Sequence, residues 1–338
     1  MAAPFLYRHI ILGRARCIVP LRDALVKARQ QAQVSQEGKL TAGWWTKRLD
    51  VSIRDAIEND HATFSALAGI LLCLGNLEIL TFSSLYDNTR RKVLPSEVLD
   101  SLTCGDSLKV VHWHTPTLLP TSDAWTALLE RHKHLESIKS TVKITRDVRL
   151  NSLKTIYYMS GDVANKLVTP FLTQVMLDGG VAGLSRFDLC TFFSDTGAGL
   201  SLVEIKCTEY KTGFIDPFAT ILREITHHCD NLTQINLRFS DWDVLQSNSF
   251  LNLPERVVYL GITVECFQIS QGATRLLFFY SFPNLVQTNP KLKVIQFLNK
   301  NNLQALRKHT HTFDKGVQEL AKHVTVKDFG GNTLSISG

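Results

Sequence analysis

The chain has 338 residues, of which 44% are apolar and 20% charged, with a formal net charge of +6. This is the composition of a folded globular protein, and it excludes a disordered chain. The cations are scattered rather than gathered on one face, which argues against nucleic acid as a partner; Arg90-Arg91-Lys92, the densest group, reads as a solvated loop.

At the amino terminus, Arg8 and His9 interrupt the apolar residues before an export-signal core can form. The longest uncharged run, 62–77, falls short of the ~20 residues that span a bilayer, and it holds Gly69, Gly75 and Asn76. No membrane partner is therefore expected. The seven cysteines are Cys17, Cys73, Cys104, Cys190, Cys207, Cys229 and Cys266. They are odd in number, far apart and mostly within apolar runs, so free thiols in an intracellular compartment, cytoplasmic or nuclear, are expected.

A staggered motif then recurs along the chain. "TKRLDV" opens it with Leu49 and Val51, and "NLEILTF" gives Leu77, Leu80 and Phe82. Further copies are Leu108, Val111, Trp113; Leu135, Ile138, Ser140; Leu153, Ile156, Tyr158; and Leu184, Phe187, Leu189. They continue with Leu202, Ile205, Cys207; Leu232, Ile235, Leu237; Val257, Leu260, Ile262; and Leu292, Ile295, Phe297, and close on Val324 and Val326. The fourth and sixth positions alternate with polar residues, which is strand period, and the first is a leucine at the strand entry. This is the L-x-x-L-x-L frame of leucine-rich repeats.

Four intervening segments carry helical periodicity. "HATFSALAGILLCL" follows a cap at Asp60; "SDAWTALLERH" starts at Ser122 or Asp123; "PFATILREITHHCDNL" has Pro217 in its first turn; and "TFDKGVQELAKHV" is the fourth. One strand plus one helix cannot bury its own apolar side, whereas stacked units share a continuous core. The expected fold is an α/β leucine-rich-repeat solenoid, a horseshoe of about ten irregular repeats. Its parallel sheet would line the concave side, with helices or loops outside.

In this frame the third, fifth and seventh positions leave the core and face the concave wall. The expected protein-binding residues are Arg48, Asp50, His112, His114, Lys139, Tyr157, Arg186, Asp188, Glu204, Lys206, Asn236, Arg238 and Tyr259. Tyrosine and arginine are frequent interface anchors, and the mixed charge suits a protein partner.

Chemistry-bearing motifs are few. "HWH" sets His112 and His114 on one strand face about 7 Å apart, but zinc needs a third ligand on a neighbouring strand. The expected neighbours, Thr81 and Lys139, supply none. His132 and His134, His227 and His228, and His309 and His311 fall near helix ends, where cations suit the helix dipole. Neither G-x-x-x-x-G-K-[ST] nor G-x-G-x-x-G occurs, and no nucleophile elbow is present. No enzyme activity, metal or cofactor is expected.

A family resemblance adds to this reading. "APFLYRHIILG", Ala3 to Gly13, resembles the tail of an F-box followed by its first connecting strand. "GWWTKRLDVSIRD", Gly43 to Asp55, resembles a first repeat strand, and "CLGNLEILTF", "LTCGDSLKVVHWH" and "HKHLESI" follow in the expected order. From Pro4 to Phe329 the chain resembles the F-box and leucine-rich-repeat proteins of mushroom-forming fungi. The resemblance implies a cap with the remnant of an F-box tail over residues 1–40 and a solenoid over 41–338. It also implies the substrate-recognition part of an F-box type ubiquitin-ligase receptor, with the Skp adaptor as partner where an F-box lies before Ala3. The alternative is a stand-alone repeat scaffold or inhibitor without a ligase link.

Overall fold

The computed structural model describes residues 7–34, 41–53, 60–84, 92–115, 117–157, 166–178, 186–207, 217–246 and 253–334. The chain divides into two compact units, Met1–Phe171 and Leu172–Gly338. Among the described residues no helix is long and apolar enough to cross a membrane.

The first unit carries strands β1 (His9–Leu12), β2 (Arg48–Ile53), β3 (Ile79–Ser84), β4 (Lys92–Leu94), β5 (Val110–Trp113), β6 (Leu118–Pro120), β7 (Ser137–Lys139), β8 (Val148–Arg149), β9 (Thr155–Tyr157) and β10 (Leu167–Val168). Its main sheet runs β1-β2-β3-β5-β7-β9, and the pairs are parallel. Chain order equals sheet order, as stacked repeats require. The register lines up Leu49, Leu80, Val111, Ile138 and Ile156 as direct neighbours. All five are buried, as are the entry leucines Leu77, Leu108, Leu135 and Leu153. The sheet already begins at His9, so β1 lies within the segment expected to be a cap. Two further parallel pairs, β4 with β6 and β8 with β10, are built from short strands that each follow the main strand of their own repeat.

Among the described residues this unit also has helices α1 (Ile18–Val34), α2 (Asp60–Cys73), α3 (Ser96–Asp100) and α4 (Ser122–Arg131). α4 starts where expected because the Thr121 hydroxyl accepts a hydrogen bond from the Ala124 amide at 3.2 Å. Trp125 of α4 packs edge-on against Trp113 of β5 at 6.2 Å, and Trp113 stacks on Phe82 of β3 at 3.9 Å. The Trp113 indole N–H reaches the Leu118 carbonyl at 2.6 Å, which satisfies its one donor in the core.

The second unit carries β11 (Gln174–Asp178), β12 (Leu202–Cys207), β13 (Gln234–Phe239), β14 (Tyr259–Val264), β15 (Val294–Phe297) and β16 (Thr325–Lys327), parallel and in chain order. Val175, Val203, Ile235, Leu260, Ile295 and Val326 form its central buried row. Its helices are α5 (Arg186–Thr196), α6 (Pro217–His228), α7 (Trp242–Gln246), α8 (Gln271–Leu276), α9 (Phe282–Thr288), α10 (Lys300–Arg307) and α11 (Thr310–Ala321). A π-helical turn, Leu277–Ser281, joins α8 to α9. It brings Phe278 within 5.3 Å of Phe313 on α11 and 6.3 Å of Phe297 on β15, so the helices cover the apolar face of the strands. After β16 the chain doubles back. Lys327 and Thr333 form an antiparallel bridge, and Asp328 accepts hydrogen bonds from the backbone N–H groups of Gly330 and Asn332 within the turn.

Both units thus have the α/β leucine-rich-repeat solenoid architecture read from the sequence. Two copies of the motif need correction. Leu184, Phe187 and Leu189 do not mark a strand: Leu189 lies in α5, and Leu184 lies outside the described residues. The strand of this repeat is β11, framed by the buried Leu172, Val175 and Leu177. The next repeat is framed by Leu200, Val203 and Ile205 rather than by Leu202, Ile205 and Cys207, because Leu202 pairs with Gln234 and faces away from the core.

Candidate functional site

The face of each sheet opposite the helices carries the polar side chains. In the first unit one row contains His9, Arg48, Ile79, Val110, Ser137 and Thr155. The next contains Ile11, Asp50, Thr81, His112, Lys139 and Tyr157. Alternation along each strand sends these residues to one side. Arg48, Asp50, His112, Lys139 and Tyr157 therefore share a face, as expected from the sequence, and His114 follows β5 immediately.

Asp50 anchors one end of this row. Its carboxylate meets His9 Nε2 at 2.7 Å and Arg48 Nε at 3.0 Å, and Thr81 bonds to it as well. Burial pushes its pKa up, but the hydrogen bonds from Arg48, His9 and Thr81 and the Arg48 charge outweigh this and hold the carboxyl below its ordinary range.

His112 forms the centre. Its Nε2 lies 2.9 Å from Ser137 Oγ, and its ring meets Tyr157 edge-on at 5.4 Å and His114 at 5.8 Å. Burial, and then the nearby His114, Lys139 and Arg48 charges, press its pKa down to about 4. Burial and Lys139 also lower His114, against the pull of Asp50. At neutral pH the centre of the face is thus an uncharged His–His–Tyr cluster flanked by Arg48, Lys139 and an ionised Asp50. It offers ring faces and hydrogen-bonding atoms in fixed positions, which suits recognition of a polypeptide surface.

In the second unit the row of Met176, Glu204, Asn236, Gly261, Gln296 and Lys327 runs beside Lys206, Arg238 and Thr263. Gln234 donates to Asn236 at 3.3 Å, and the Tyr259 hydroxyl donates to Gln296 at 2.6 Å. Burial raises the Tyr259 pKa, so this phenol stays protonated. Lys206 pairs with Glu265 at 3.3 Å. Gly261 is where the row closes up: a Cβ there would come within 2.3 Å of Asn236 Oδ1 and 2.7 Å of Leu298 Cδ1. Glu204, Lys206, Asn236, Arg238 and Tyr259 share this face, again as expected. Glu204 and Lys206 do so despite the shifted frame, because a slip of two residues preserves sidedness.

Arg186 and Asp188 do not belong to the face. Both lie in helix α5, and their side chains are outside the described ones. Cys190, aligned with them as the next wall position, is also helical. His9 was missed as a member of the face; the alternation of "HIIL" is the signal that carries it.

No family model matches the chain, and no curated protein matches it. Among solved structures it is similar to the leucine-rich repeat-containing protein LegL7 from Legionella pneumophila. The identity is 13% and the TM-score 0.32, over 86% of this chain and 77% of that one.

Proposed function

We propose that the chain is a protein-interaction module that binds a polypeptide partner on the open sheet faces. The observation that carries this reading is the aligned row Asp50, Thr81, His112, Lys139 and Tyr157, in which interacting polar side chains are displayed on a rigid scaffold. His112 is held half-buried between Tyr157 and His114 with its Nε2 on Ser137, and such a fixed arrangement of rings and polar atoms is what an interface anchor needs. Affinity capture with the full chain, repeated with His112→Ala and Tyr157→Ala together, tests it. The expected result is loss of specific partners with an unchanged circular dichroism spectrum; an unchanged set of captured proteins overturns the placement.

The finer role is substrate recognition for an F-box type ubiquitin ligase. It is supported by the resemblance of Ala3–Gly13 to an F-box tail, whose second half contains β1 at the edge of the first unit's sheet. Binding of a Skp adaptor to the full-length protein supports the ligase link. A failure to bind it, with partners still captured on the sheet face, favours the stand-alone scaffold or inhibitor.

A further inference from the structure

The geometry points to a divalent-metal site, of the kind that takes zinc, between helices α5 and α6: Cys190, Glu224 and His228 converge on one point. Their donor atoms all lie within 4.8 Å of one another. Cys190 Sγ is 3.7 Å from His228 Nε2, and Glu224 Oε2 is 3.9 Å from the same nitrogen. Around a tetrahedral zinc, with bonds of ~2.0–2.3 Å, such ligand atoms stand about 3.3–3.6 Å apart. The thiol–imidazole pair thus stands within about 0.2 Å of that spacing and the carboxylate–imidazole pair within about 0.6 Å.

The local fold presents these residues together. Glu224 and His228 are four residues apart on α6 and so project from one helix face. Cys190 comes from the middle of α5. The helix ends are held in place by the 3₁₀ turn Gly197–Gly199: a Cβ at Gly197 would lie 2.5 Å from the His228 carbonyl oxygen, and the Asn231 side chain donates to the Ala198 carbonyl at 2.7 Å. Glu224 is only 4% exposed, and its other oxygen, Oε1, faces Arg223 at 3.4 Å. A carboxylate this deep is stabilised by concentrated positive charge.

A Cys–His–Glu catalytic relay would use the same residue types, but the geometry argues against it. In a relay the carboxylate holds one ring nitrogen and the nucleophile meets the other. Here the thiol and the carboxylate both approach Nε2, which is convergence on a shared centre. Cys190 itself is half-buried rather than sealed in the core. Three protein ligands leave a fourth position for water or for a group from another molecule.

The test uses the full chain, reduced and stripped of metal. Zinc is titrated in competition with a chromogenic chelator, and cobalt is titrated separately for its thiolate charge-transfer band. One equivalent of each should bind, with the cobalt band lost in Cys190→Ser. Glu224→Gln and His228→Asn should weaken zinc by more than about 100-fold, while His112→Asn leaves binding unchanged. A second measurement needs no variant: zinc should slow alkylation of Cys190, read by mass spectrometry, with the exposed Cys17 as internal control. Failure of the chain to bind one equivalent, a cobalt band that survives Cys190→Ser, or a Cys190 alkylation rate unaffected by zinc overturns the site.

Discussion

Asn302 closes the end of strand β14 by bonding both backbone groups of Val264. The Val264 amide donates to Asn302 Oδ1 at 2.9 Å, and Asn302 Nδ2 donates to the Val264 carbonyl at 2.7 Å. Asn302 is fully buried on α10, so one side chain stands in for a missing neighbouring strand. Asn302→Ala leaves a buried donor and a buried acceptor unmatched, and should cost about 2–4 kcal/mol in urea denaturation. Asn302→Asp should be at least as harmful, because it sets a carboxylate oxygen against the Val264 carbonyl.

His112 gives the stability a defined pH dependence. Its ordinary pKa of 6.5 falls to about 4 in the folded chain. Between these values the unfolded chain holds a proton that the folded chain does not, so stability falls as pH drops through this window. His114 and His132, both lowered chiefly by burial, act in the same direction. Asp50 acts outside the window, since the stability from a depressed carboxylate is lost only below its unfolded pKa. The melting temperature followed from pH 7 to pH 4 should fall less steeply in His112→Gln than in the parent.

Gly197 fits because it has no side chain. Gly197→Ala would place a methyl carbon 2.5 Å from the His228 carbonyl oxygen and 3.0 Å from its carbon. The end of α6 must then move, at a cost of about 1–3 kcal/mol. Urea unfolding reads this cost, and zinc affinity should fall alongside it, because His228 moves with the helix.

Phe82 and Trp113 stack with planes 16° apart across neighbouring strands. A double-mutant cycle with Phe82→Leu and Trp113→Leu should return a coupling of about 0.5–1.5 kcal/mol beyond the loss of buried area.

The sequence made the first unit's face largely legible. Leu77, Leu80 and Phe82 combine an entry leucine with strict alternation, and β5, β7 and β9 repeat the entry leucine and the buried fourth position. The failures arose where the stagger is ambiguous. Leu184, Phe187 and Leu189 are spaced by three and two, and a spacing of three also fits one face of a helix; Phe187 and Leu189 lie in α5. At β12, leucines occupy both 200 and 202, so two frames fit and only strand pairing selects between them. Cys190, Glu224 and His228 were beyond reach. Cys190 lies 34 and 38 residues from the other two on a separate helix, and no periodicity predicts how two helices meet. His227 and His228 do fall at the end of α6, as their position suggested.

The return of the chain after β16 has a bearing on aggregation. An exposed parallel strand offers unpaired amides and carbonyls to any passing polypeptide, and a second copy could extend the array indefinitely. Here the bridge between Lys327 and Thr333, together with the bond from the Leu334 amide to the Val326 carbonyl at 2.8 Å, occupies that border from within. The protein thereby terminates its own polymerisable edge.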